Sequence, residues 1–343
     1  MMKKVALLIY LIVSCMMVAQ RCEATTPAVQ QLETFIANET ELEDVLYRQL
    51  LARNTTFQFN WTGDAEEIVN SDWLADIFAQ VYEKDLTTSD DFDYLLYSVK
   101  EYELVRGVKE NMNAYTLRVL YRERPEQLLK VNKMVNKSLL ALKLSNDSAA
   151  VKVRKLHDFI IRRVKYNGGT SKDSAYAAIV EGQANSRGYA LLAYKMLTEV
   201  GVPCRIVSGV VAGDAAFWNI VKIEGFWYYL DLARDDGDNE IVPVRYNYFL
   251  RGSLAMIKDH SLSDDYQMAE FEANHPVDSA DYRGRKKLIL QADAAVIRDK
   301  VGVGPFNELY AKVSEKTVDQ FEKINDAITN QVLSALQDVF AGI

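Results

Sequence analysis

Along the chain the first strong hydrophobic signal is an apolar run from Val5 to Ala19, interrupted only by Ser14. Lys3 and Lys4 precede it, and polar Gln20-Arg21-Cys22-Glu23-Ala24 follows it. The run is shorter than the ~20 residues that cross a bilayer, and its flanks predict a secretory signal over 1–24, cleaved after Ala24. Leu32, Phe35, Ile36, Leu42, Val45 and Leu46 then fall at helical spacing and predict a helix-rich stretch over 25–53. Residues 54–63 are turn-rich with a strand-like Phe57-Gln58-Phe59-Asn60-Trp61, and helical spacing resumes over 72–84. Alternation over 115–122 predicts a strand, and two helices are expected over 125–144 and 147–164.

A helix is expected over 187–200, with Ala190, Ala193, Tyr194 and Leu197 on one face, Gly201 at its end and Pro203 beyond. Three strands follow over 205–211, 217–223 and 226–232, the last two flanking a two-residue hairpin signal, Glu224-Gly225. That turn sets Ile223 opposite Phe226 and Trp218 opposite Asp231, with Ala216 a diagonal neighbour of Asp231 on one face. Over 306–340 apolar residues recur mostly every three or four positions, which predicts a long amphipathic helix able to pack on the body or to self-associate.

Composition narrows the classes. With 49% hydrophobic residues and only 16 Gly and 6 Pro in 343, the chain is a folded protein. Its 40 basic against 48 acidic residues give a net charge of −8 without a basic block, so no nucleic-acid partner is expected. Cleavage after Ala24 leaves Cys204 as the one cysteine, hence no internal disulfide, and Cys204 is expected to be a buried, inert thiol. An alternative reading of the first segment lipidates Cys15, the sole route to a membrane that the sequence offers. Asn38, Asn54, Asn60, Asn136 and Asn146 head Asn-x-Ser/Thr triplets that matter only in a glycosylating host. No metal-ligand spacing and no phosphate loop occurs, so neither metal nor cofactor is expected.

Several blocks between Val151 and His260 are similar, in order, to the transglutaminase-like superfamily. They are Lys155-Leu156-His157-Asp158-Phe159-Ile160, Ser174–Gly182, Ser186-Arg187-Gly188-Tyr189-Ala190, Gly201–Gly209, Ala216-Phe217-Trp218-Asn219, Trp227–Asp231, Tyr248-Phe249 and Asp259-His260. The resemblance implies an α+β, papain-like core in which an antiparallel sheet packs on a central helix. Helical N- and C-terminal segments flank it, giving a division into 25–145, 146–265 and 266–343. It also implies a Cys-His-Asp triad. Here the positions hold Ser186, Ala216 and Asp231. A thiol can be activated by a helix N-terminus and an imidazolium, whereas a serine hydroxyl needs a positioned base. Losing thiol and imidazole together removes the nucleophile and its activator.

Ser186 is then expected to cap its helix, and Asp231 to be solvated or paired with Arg187 or Arg234. His157 and His260 match positions outside the triad and are expected to be structural hydrogen-bonding groups. Arg187, Trp218 and Tyr229 are the candidate binding residues of the cleft. The function expected is that of an exported, catalytically inactive module of the envelope or extracellular space that binds or scaffolds a peptide or protein. The alternatives are a hydrolase or acyltransferase using Ser186 with an unidentified base, and an interaction protein acting through 306–340.

Overall fold

The computed structural model describes residues 34–63, 71–84, 88–109, 112–237, 244–263 and 268–301. The signal segment and the amphipathic stretch over 306–340 lie outside them. The chain divides into two compact units: Met1–Lys84 with Val99–Tyr121, and Asp85–Ser98 with Arg122–Ile343. The sequence reading put a boundary near 145. The structure puts it after Tyr121, because the helix over Pro125–Leu142 sends Leu128, Val131 and Val135 into the second unit's core.

The first unit holds a four-stranded sheet in the order β1-β2-β4-β3, from β1 (Phe35–Ile36), β2 (Thr56–Trp61), β3 (Val99–Lys109) and β4 (Met112–Tyr121). Phe57, Phe59 and Trp61 alternate onto the buried face, as a half-buried strand requires, and Phe59 stacks on Phe57 and on Tyr115. Helices α1 (Glu39–Leu51) and α2 (Ser71–Tyr82) complete it. Phe35 and Ile36, expected to be helical, pair in parallel with β2 instead. The helix starts after them because Asn38 is extended and accepts a hydrogen bond from the Glu41 N–H at 2.9 Å, closing the N-terminus.

The second unit begins with α3 (Asp93–Ser98), α4 (Pro125–Leu142) and α5 (Ala149–Arg163). A parallel pair of short strands, β5 (Lys165–Tyr166) and β6 (Gln183–Ala184), leads to the central helix α6 (Ser186–Glu199). An antiparallel sheet of order β10-β9-β8-β7-β11 follows, from β7 (Cys204–Val211), β8 (Asp214–Ile223), β9 (Phe226–Leu230), β10 (Phe249–Arg251) and β11 (His260–Leu262). Short helices α7 (Leu232–Asp235) and α8 (Ser253–Met256) interrupt it, and α9 (Met268–Asn274) and α10 (Arg285–Val301) end the described chain. The fold is thus α+β with an antiparallel sheet on a central helix.

Every residue of α6 from Gly188 to Leu197 is buried, not one face only. A helix apolar all round belongs inside a core. The one charged residue between Gly188 and Leu197, Lys195, is 1% exposed and bonds to Asp90 and Ser89, which meets the need of a buried charge for partners. The Glu224-Gly225 turn is as expected: φ is 52° and 92° at the two residues, and Ile223 pairs with Phe226. Positive φ at both central residues is the geometry that joins twisted strands with two residues.

The sheet has two distinct faces. Toward α6 it sends Ile206, Phe217, Val221, Tyr228 and Leu230 into the main core. Away from α6 it sends Val207, Trp218, Ile220, Trp227 and Tyr229 into a second cluster with Met256. Period-two alternation along β8 dictates this split.

Candidate functional site

Ser186 opens α6, but the cap is its neighbour. Asn185 is extended, and its side chain accepts from the Gly188 N–H at 3.2 Å. The Ser186 hydroxyl, expected to cap, instead accepts from the Phe217 N–H at 3.2 Å and has no other hydrogen-bond partner among the described residues. The serine thereby ties the first turn of the central helix to the backbone of β8.

Arg187 lies over the Phe217 ring at 4.1 Å and has its carboxylate contact with Asp173 at 3.6 Å. Arg122 also pairs with Asp173. Burial, and then the charge of Arg122, pull the Arg187 pKa down to about 10. Arg187 therefore does not close the cleft onto Asp231, the pairing the sequence suggested.

Asp231 ends β9 and caps α7: its Oδ1 accepts from the Arg234 N–H at 3.0 Å. Its Oδ2 stands 3.1 Å from Nε2 of His260. The expectation that Asp231 has no histidine is thus overturned. The imidazole arrives from β11, which pairs His260 with Val211 on the far edge of the sheet, and not from position 216.

His260 is held from both sides. Its Nδ1 lies 2.7 Å from Oδ1 of Asp259, whose Oδ2 accepts the Tyr248 hydroxyl at 2.5 Å. Ionised carboxylates only accept, so a ring bonded to one at each nitrogen donates twice and is an imidazolium. Burial alone would lower the pKa of His260, but the bonds and charges of Asp231 and Asp259 outweigh it and raise it. The Tyr248 phenol is pushed up to about 12 by its bond to Asp259, with burial adding to the effect. A cation with both nitrogens engaged cannot accept a proton from a hydroxyl.

Ala216 pairs with Gly209 and is half-buried, its methyl group packing against the cluster of Trp218. The hairpin register holds as far as Asn219 opposite Leu230, after which β9 gives way to the α7 cap. Trp218 meets the His260 ring edge-on at 4.9 Å. Trp218 and Tyr229 are 1% and 9% exposed on the face away from α6. Arg187 sits over Phe217 on the other face, so these three do not form one platform. Alternation along β8 explains the separation.

His157 forms a second clamp. Its ring nitrogens stand 3.2 Å from Asp158 and 3.1 Å from Asp235, and the ring is wholly buried. Arg154 and the Tyr246 hydroxyl bond to the same Asp158 carboxylate. Burial works against the imidazolium here too, and the two carboxylates again raise the pKa. The Tyr248 N–H donates to Asp235 at 2.9 Å, so this one residue touches both clamps. Cys204 is buried, and burial drives its thiol well above the ordinary range, consistent with an inert side chain.

The site residues missed in the sequence as a set are His260, Asp259 and Asp235. The adjacent pair Asp259-His260 was the available signal, but nothing in its spacing said that β11 would cross to β7.

Residues 140–232 match the family model of the transglutaminase-like superfamily. The matched part holds the central helix α6 and strands β7 to β9, and is transglutaminase-like. Among solved structures, the chain resembles a transglutaminase ("TGase") at 12% identity, over 61% of this chain and 61% of that one, with a TM-score of 0.31. It thus spans about three-fifths of the length of that protein. A provisional cysteine protease from Cytophaga hutchinsonii is 15% identical over 48% of this chain and 69% of its own, with a TM-score of 0.26. A provisional protease from Parabacteroides distasonis is 12% identical over 38% of this chain and 36% of its own, at a TM-score of 0.21. No curated protein matches the chain.

Proposed function

We propose that this protein is an exported, catalytically inactive transglutaminase-like module that binds an extended peptide or protein segment beside the first turn of α6. The observation that carries the proposal is His260. The one imidazole at the triad carboxylate gives both nitrogens to carboxylates, while the Ser186 hydroxyl is occupied by the Phe217 N–H. Among the described residues no hydrogen bond joins Ser186 to His260, the feature that activated serines share. Arg187 and Phe217, stacked beside Ser186, offer a guanidinium and an aromatic edge to a ligand. Export by 1–24 belongs to the same proposal; among the described residues no helix is long and apolar enough to cross a membrane.

The test is a serine-directed fluorophosphonate applied to the exported protein, with Ser186→Ala alongside. Neither protein is expected to be labelled. Labelling of the wild type that vanishes in S186A overturns the proposal in favour of a hydrolase or acyltransferase. That second reading has one observation behind it, the retained Asp231–His260 contact, and needs the His260 Nδ1 to leave Asp259 for Ser186.

A further inference from the structure

On the sheet face away from α6 lies a cavity of about 270 Å³, separate from the cleft beside Ser186. At about 30 Å³ per water this is room for roughly nine waters, near the lower end of the range for small-molecule pockets. Val207, Ile220, Leu262 and Val277 line it, together with the polar residues Tyr229, Ser253 and Glu272.

The Tyr229 ring is 9% exposed, and its hydroxyl has no hydrogen-bond partner among the described residues, which leaves it open to a ligand or water in the cavity. Burial and the nearby charge of Glu272 push its pKa up to about 12, so it stays a protonated donor and acceptor at neutral pH. Glu272 is exposed at the rim on α9 and has neither an ion pair nor a hydrogen bond among the described residues. His275 also lines the cavity, but its nitrogens are spent. Nδ1 donates to the Phe271 carbonyl at 3.0 Å and Nε2 accepts from Arg205 at 3.0 Å. The Tyr229, Ser253 and Glu272 side chains therefore share one cavity of mixed polar and apolar lining.

We propose that this cavity binds a small organic cation, an arylalkyl ammonium or guanidinium. Its apolar body fills the space over Val207 and Ile220, and its charged donor bridges Glu272 and the Tyr229 hydroxyl. The carboxylate selects the charge, and the Val207, Ile220, Leu262 and Phe271 side chains select the body.

The experiment is calorimetric titration of the full chain with 2-phenylethylammonium, 2-phenylethanol and phenylacetate. The ammonium is expected to bind saturably, at least about tenfold more tightly than the alcohol, the worth of one charge-assisted hydrogen bond, and the carboxylate not at all. Glu272→Gln, at an exposed position that does not threaten the fold, is expected to remove that tenfold preference. Tyr229→Phe is expected to weaken the ammonium by about threefold, a neutral hydrogen bond's share. Absence of saturable ammonium binding, equal binding of all three probes, or an E272Q protein with undiminished preference overturns the proposal.

Discussion

The two histidine clamps share a chemistry and differ in their surroundings. His157 lies between Asp158 and Asp235 with its ring and Asp235 wholly inaccessible. His260 lies between buried Asp231 and Asp259, whose side chain is 42% exposed. Water can therefore take over at Asp259 if the imidazolium is lost, but it cannot at Asp235. The first clamp joins α5 to the end of α7. The second brings β11 to the α7 cap. One arrangement thus serves as a wholly buried tie in one place and as a partly solvated tie in the other.

The largest effect is expected from His157→Ala. Removing the cation leaves two buried carboxylates facing each other, and loss of one partner from a buried ion pair costs on the order of 3–5 kcal/mol. Urea denaturation measures this; a loss below about 1 kcal/mol would mean that the ring is neutral and the clamp only a weak polar contact. His260→Ala is expected to cost less, about 1–3 kcal/mol, because Asp259 is partly solvated and Asp231 keeps the Arg234 N–H. Equal losses in the two variants would erase the distinction.

Stability should also depend on pH through both rings. Their folded pKa values are raised above the ordinary value of about 6.5. The folded chain therefore keeps protons that the unfolded chain releases just above that value. The clamps contribute fully below about pH 6.5 and progressively less as pH rises through the folded pKa values. The double His→Ala variant should lose this slope, and each single variant part of it. The smallest effects concern the helix start: Asn185→Ala and Ser186→Ala should each cost about 1 kcal/mol, for a lost cap and a lost acceptor.

Most of this frame was legible in the sequence. The spacing of apolar residues over 147–164 and 187–200 became α5 and α6, and Glu224-Gly225 became the expected turn with the expected register. These are local signals, set by period and by φ. β3 went unread because charged Lys100, Glu101, Glu103 and Arg106 fall on both faces of the strand and interrupt its alternation. α3 is too short to show a helical period. The site was half legible. Asp231 was singled out, but its partner His260 was not, because β11 joins the sheet by a pairing distant in sequence. Arg187 was misassigned for a related reason: the carboxylate that receives it, Asp173, lies in a loop whose path no periodicity predicts.

The central claim is that His260 is a cation locked between Asp231 and Asp259 and is not a base for Ser186. Nitrogen-15 NMR of the His260 ring at pH 7.5, in wild type and Ser186→Ala, tests it most directly. The account predicts two protonated nitrogens in both proteins, with the same titration. A neutral ring with a bare nitrogen, titrating near the ordinary value and shifting when Ser186 is removed, would contradict it.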